Sequence, residues 1–167
     1  MKAVSVPSVD GVVIRNATID DVAELVELRR TFTFEDLAHD RAVRGDFEQA
    51  FARIVRSGIE SGEWVVWVAE VDGAIVSHVF VGTIEKIPRP IVEHEAIGYV
   101  TNVYTRPEYR GRGIGGRVLD AVTAWALESN IELLLVWPSE ASFAHHERHG
   151  FADRGEPLVW LHPGDPA

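Results

Sequence analysis

With 167 residues, 46% hydrophobic and 25% charged, the chain has the length and composition of one soluble globular domain. It contains no cysteine, which excludes disulfides, thiolate nucleophiles and cysteine-ligated zinc. Its 16 basic and 26 acidic residues give a formal charge of -10; this disfavours nucleic acid, whose binding depends on phosphate neutralisation, and favours cationic or amine partners.

Met1-Lys2-Ala3-Val4-Ser5-Val6-Pro7 has one basic residue and no apolar run of signal-peptide length. No stretch approaches the roughly 20 apolar residues of a membrane span. The expected location is therefore cytoplasmic, with no membrane partner. Residues 1–11 and 163–167 read as tails around a single domain over 12–162.

Along that domain, Val12 to Arg15 reads as a short strand. Thr18 or Asp20 caps a helix with apolar Val22, Leu25, Val26 and Leu28. Thr31 to Asp36 reads as the connection to a second helix over about Asp46 to Ser57. Trp64 to Val71 and Ala74 to Ile84 form a hairpin around Asp72-Gly73, a two-residue turn signal. A loop at Pro88–Pro90 precedes a strand over Glu95 to Tyr104. A helix over Ile114 to Glu128 follows, then an apolar run, Ile131 to Trp137, of the kind covered on both faces. Pro138-Ser139 opens a helix to about His149, and Leu158 to Leu161 makes a last strand.

The strand–helix–strand unit from Glu95 to Trp137 implies a parallel pair, and the hairpin before it implies antiparallel strands. The fold class is α/β (α+β): a mixed, mostly antiparallel sheet with helices on both faces.

The densest chemical signal is Arg110-Gly111-Arg112-Gly113-Ile114-Gly115-Gly116-Arg117, between a strand and a helix. Its glycines let backbone approach a ligand closely. The unpaired N–H groups of the helix's first turn converge where the positive end of the helix dipole also lies. Three arginines gather there in an otherwise acidic chain. That combination is an anion site, with phosphate as the expected anion; the plainer alternative is a glycine-rich surface turn. No Gly-x-x-x-x-Gly-Lys-Ser/Thr run exists, and Lys2 and Lys86 are the only lysines. Gly111, Gly113 and Gly116 match dinucleotide spacing, but the next strand ends in Trp137-Pro138 instead of an acidic residue.

Arg110-x-x-Gly113-x-Gly115 resembles the Gln/Arg-x-x-Gly-x-Gly/Ala signature of the GCN5-related N-acetyltransferases. Val103-Tyr104-Thr105-Arg106-Pro107-Glu108-Tyr109 looks like their lead-in. Ser139 to Phe151, a helix ending in Gly150-Phe151, resembles their second motif, and Arg15-x-Ala17-Thr18-x-x-Asp21 is similar to a common opening. The resemblance covers about Val12 to Leu161. It implies acetyl-CoA as cosubstrate, with the pyrophosphate on Arg110, Gly111, Arg112, Gly113, Ile114, Gly115 and Gly116. It also implies pantetheine beside Val103 and Thr105 where two parallel strands splay, and Ser139 at a position that often bonds the pantetheine arm.

The same resemblance implies transfer of an acetyl group to a primary amine of a small molecule or protein by direct attack. The family's usual tyrosine acid falls at His146. Imidazole can protonate a thiolate; the alternative is that His146 caps the helix surface and the thiolate leaves unassisted. For the base, alternation places Glu93, Glu95, Ile97, Tyr99, Thr101 and Val103 on one strand face. Glu95 is the best carboxylate there, with Glu93 behind it, against the plainer reading of solvated charges at a strand's start; Tyr99 lines the acceptor site or serves as base. Glu35 and Asp36 fall where the family binds its acceptor and could attract an ammonium, against the reading of an ordinary exposed loop.

His145, His146 and His149 do not match the zincin spacing, so no metal is expected. A non-catalytic CoA-binding sensor or regulatory module of the same fold is the rival function. Transfer to a hydroxyl, or from a longer acyl-CoA, is a weaker option. Family members are often dimers, and the resemblance allows a homodimer with the Trp160 strand in its interface.

Overall fold

The computed structural model describes residues 11–36, 44–91, 96–153 and 155, in two units, Met1–Trp137 and Pro138–Ala167. In the first, β1 (Val13–Asn16) leads through a 3-10 turn (Ile19–Asp21) into α1 (Val22–Asp36). There follow α2 (Phe47–Ser61), β2 (Trp64–Val71), β3 (Ala74–Glu85) and β4 (Ala96–Thr105), then α3 (Ile114–Glu128) and β5 (Ile131–Val136). The second unit holds α4 (Glu140–Arg148). Among the described residues, no helix is long and apolar enough to cross a membrane.

The strands form one sheet in the order β1-β2-β3-β4-β5, antiparallel except for the parallel β4–β5 pair. The β2–β3 turn is made by Asp72 (φ 51) and Gly73 (φ 80); two successive positive φ values match the twist of a two-residue hairpin. β3 is the central strand, buried without interruption from Ile75 to Gly82. Leu25 and Leu28 of α1 and Val55 of α2 pack on Val66, Val68, Ile75, Phe80 and Tyr104. Each of the two fully buried leucines contributes about 1.5–3 kcal/mol. Val118, Leu119 and Val122 of α3 are fully buried as well.

The opening Arg15-x-Ala17-Thr18-x-x-Asp21 has a physical basis. Arg15 grips Asp21 through two nitrogens, at 2.8 and 2.9 Å, and reaches Glu70 at 2.8 Å. Asp21 also accepts the Thr18 N–H at 2.7 Å, closing the helix entry. The Arg15 hydrogen bond is the main cause that lowers the Asp21 carboxyl to about 2, and burial opposes it.

Two expectations need correction. Thr31 to Asp36 is not a connection but the last turns of α1. Thr31 and Thr33 donate to the carbonyls of Glu27 and Arg29 at 2.9 and 2.8 Å, and Phe32 stacks on Tyr104. Packing thereby overrides the weak helix propensity of Thr-Phe-Thr-Phe. β5 is not covered on both faces: Leu133 is 46% exposed, and β5 pairs only with β4 among the described residues. The strand expected over Leu158 to Leu161, with Trp160, lies outside the described residues.

Candidate functional site

The ladder between β4 and β5 stops halfway. Its last pair is Val100 with Val136, so beyond it β4 pairs with β3, at Thr101, Tyr104 and Thr105, but with no strand on the other side among the described residues. Just there β4 carries a bulge. Thr101 lies opposite Phe80 and Tyr104 opposite His78, leaving two β4 residues against one of β3. Asn102 takes φ 50, a left-handed conformation that asparagine enters more readily than most residues other than glycine. Val103 and Thr105 lie on this unpaired stretch, and Thr105 Oγ1 is 2.9 Å from Ser77 Oγ.

Beyond Thr105 the chain makes a 3-10 turn (Pro107–Tyr109) and enters the glycine segment. Gly111 and Gly113 take φ 72 and 75, and a Cβ on either would meet open space, so conformation demands glycine there. Gly113 caps α3, whose first internal bond runs from Arg117 N–H to the Gly113 carbonyl at 3.0 Å. The amides before Arg117 therefore have no intrahelical acceptor. Ile114 is buried and anchors the turn in the core, while Gly111 and Gly113 are exposed. This backbone suits a pyrophosphate.

The three arginines do not converge on the turn. Arg110 Nε donates to the Thr105 carbonyl at 2.8 Å, and its Nη2 donates to Glu35. Arg117 donates to the Val12 carbonyl at 3.3 Å, and Arg112 lies 5.8 Å above the Tyr109 ring. Only the backbone amides of the turn are therefore left to face an anion there.

Glu35 also accepts the Tyr104 hydroxyl at 2.6 Å. Burial works the other way, but the hydrogen bonds from Tyr104 and Arg110 hold its carboxyl below the ordinary value. Burial, then Glu35, pushes the Tyr104 hydroxyl up to about 12. Tyr99 is half-buried, with its ring edge-on to Trp137 at 5.4 Å. Asp36 ends α1. Glu95, and Glu93 with it, lies outside the described residues.

His78 lies beneath the bulge, fully buried against Phe80 (5.3 Å) and Tyr104 (5.7 Å). Neither ring nitrogen has a partner in good hydrogen-bond geometry, only a loose approach to the Asn102 backbone. Burial lowers its pKa to about 4; the Asn102 carbonyl opposes this, and Arg29 and Arg106 reinforce it. No role in the site was expected for Ser77 or His78, although two polar residues in the otherwise apolar buried run from Ile75 to Gly82 were a usable signal. Sequence alone could not pair Glu35 with Arg110, which lie 75 positions apart.

In the second unit, Ser139 caps α4 and its hydroxyl donates to Ser142 Oγ at 3.0 Å. His146 is buried, with Nδ1 2.9 Å from the Ser142 carbonyl. A carbonyl only accepts, so Nδ1 carries a proton and the neutral ring leaves Nε2 bare. Nε2 is buried and has no partner. The His145 and His149 rings lie 5.0 Å apart, but no group of three metal-ligating side chains forms among the described residues.

The profile of the acetyltransferase (GNAT) family matches residues 22–151. A relative from Archaeoglobus fulgidus, named an uncharacterized N-acetyltransferase, is 26% identical over 146 residues, covering 86% of this chain and 93% of the relative. A predicted acetyltransferase from Clostridium acetobutylicum, crystallised with acetyl-CoA, has a TM-score of 0.74 and 26% identity over 90% of this chain and 96% of its own. A GCN5-related N-acetyltransferase from Ralstonia eutropha has a TM-score of 0.73 and 26% identity over 90% and 99%.

Proposed function

Since the chain belongs to the acetyltransferase (GNAT) family, we propose that it moves an acetyl group from acetyl-CoA to a primary amine of a small molecule or protein by direct attack. The observation that carries this reading is the continuous track from the unpaired half of β4 into the glycine turn capping α3. An extended pantetheine would take up the hydrogen-bonding positions around Val103 and Thr105 that β5 leaves open, sharing the Thr105 carbonyl with Arg110 Nε. The pyrophosphate would follow on the amides of residues 111–116, with helix polarity behind them.

In the reaction, the amine lone pair forms the C–N bond at the thioester carbonyl. The tetrahedral oxyanion then collapses, breaking the C–S bond. The ammonium proton goes to a base, for which Glu95 is the carboxylate candidate, with Tyr99 lining the acceptor site or taking that role. The thiolate needs a proton, and His146 is the candidate donor. Its Nδ1 is engaged by Ser142, so it acts through Nε2 and donates only as imidazolium. Ser139 would bond the pantetheine arm. Asp36 and the net charge of -10 favour an ammonium-bearing acceptor.

Calorimetry with CoA and acetyl-CoA, followed by thiol release over a panel of amines, tests the proposal. Binding with turnover supports it. Binding without turnover of any acceptor favours the regulatory CoA-binding module. No binding at millimolar ligand refutes both.

A further inference from the structure

Arg110 is the last residue before the turn, and its side chain is fixed at two points. Nε is held by the Thr105 carbonyl at 2.8 Å and Nη2 by Glu35, while the guanidinium lies 5.5 Å above the Tyr104 ring. Glu35 is held in turn by the Tyr104 hydroxyl at 2.6 Å, and Phe32, one turn earlier on α1, stacks on the same ring at 5.2 Å. Two left-handed glycines, Gly111 and Gly113, follow Arg110 at once. At the far end the turn is tied down by Ile114, which is 1% exposed. The glycine segment is thus strung between a core anchor at Ile114 and an ionic anchor at Arg110.

We propose that Glu35 is a positioning residue of the cofactor site: by holding the Arg110 guanidinium against the end of β4, it fixes the near end of the Gly111–Gly116 turn in its binding geometry before the pyrophosphate arrives. This rests on the acetyl-CoA reading above. Glycines lose more conformational freedom on ordering than other residues, so a turn that must be ordered by its ligand binds more weakly than one already held. The carboxylate expected to serve the acceptor has both oxygens committed to the protein, one to Tyr104 and one to Arg110. Half of the Arg110 side chain remains open to solvent (51%), so the pair adds little to folding stability. Its effect lies in the geometry of the turn.

The test is calorimetric titration of CoA into the full chain and into Glu35→Gln, Arg110→Lys and the double variant. Ligand-free melting and the steady-state constants for acetyl-CoA are measured alongside. Glu35→Gln is expected to weaken CoA binding by about five- to tenfold, the scale of ordering one residue of backbone. The acetyl-CoA KM should rise by the same factor with kcat little changed, and ligand-free melting should stay within about 2 °C. The double variant should bind no worse than the weaker single one, because both substitutions break one contact. Unchanged or tighter CoA binding by Glu35→Gln would overturn the inference, the latter showing that Glu35 competes with the phosphates for Arg110. Multiplying penalties in the double variant would also overturn it. If the unmodified chain takes up no CoA at all, it is the acetyl-CoA reading that fails.

Discussion

His78 makes the protein acid-sensitive in a window set by one side chain. Its folded-state pKa is about 4, against about 6.5 in an unfolded chain. Well above pH 6.5 the ring is neutral in both states and contributes no pH dependence. Between 6.5 and 4 the unfolded chain takes up a proton that the folded chain refuses, so stability falls with acidity by about 1.4 kcal/mol per pH unit. At pH 5 the loss is about 2 kcal/mol, and by pH 4 it is about 3 kcal/mol. Leucine has nearly the volume of histidine and removes both orphaned nitrogens. His78→Leu should therefore be close to neutral at pH 7.5, since an unsatisfied buried polar group itself costs about 1–3 kcal/mol. The assay is urea unfolding of both proteins at pH 7.5 and 5.0. Other titrating groups are common to the two, so their difference isolates His78. The original chain should lose about 2 kcal/mol more than the variant between these pH values. Parallel losses would refute the claim that His78 is buried and neutral.

Three further outcomes are expected. Gly113→Trp puts a Cβ and an indole at a position of φ 75 in the middle of the turn, and should abolish CoA binding by calorimetry while leaving the far-ultraviolet spectrum intact. Asp21→Asn removes a carboxylate that the Arg15 hydrogen bond lowers to about 2. It should cost about 1–2 kcal/mol at neutral pH, and because the folded pKa is depressed, that difference should vanish as pH falls from 4 towards 2. If His146 protonates the thiolate, His146→Ala should lower kcat by about 10²-fold or more with little change in CoA affinity. Activity that survives His146→Ala but collapses with Gly113→Trp would mean that the thiolate leaves unassisted.

Where local rules govern alone, the chain was legible. α3 was placed residue for residue because its apolar positions and its glycine entry agree, and Asp72-Gly73 forms the expected tight turn. Thr-Phe-Thr-Phe was misread because what keeps residues 31–34 helical is a ring 72 positions downstream, Tyr104 stacked on Phe32. The glycine turn was visible because its chemistry is contiguous. The arginine arrangement was not, since three like charges in one stretch read as one patch until Arg110 and Arg117 find distant acceptors and Arg112 settles over the neighbouring Tyr109 ring. The Asn102 bulge left no trace in the alternation, because one extra residue in β4 reveals itself only against the register of β3. A buried histidine in an apolar strand is a polar exception that sequence alone can flag but not explain.

The half of β4 that β5 leaves unpaired also bears on solubility. An extended backbone with unused donors and acceptors is a template for any passing strand, and proteins usually blunt such edges with charge, proline or a kink. Here the kink is the left-handed Asn102, which bends residues 101–105 away from a straight pairing surface. A thread-like ligand with amides at suitable intervals can follow that curve where a regular β-strand cannot stay in register. If pantetheine lies along this stretch as proposed, the distortion that shapes its berth also discourages fibrous self-association.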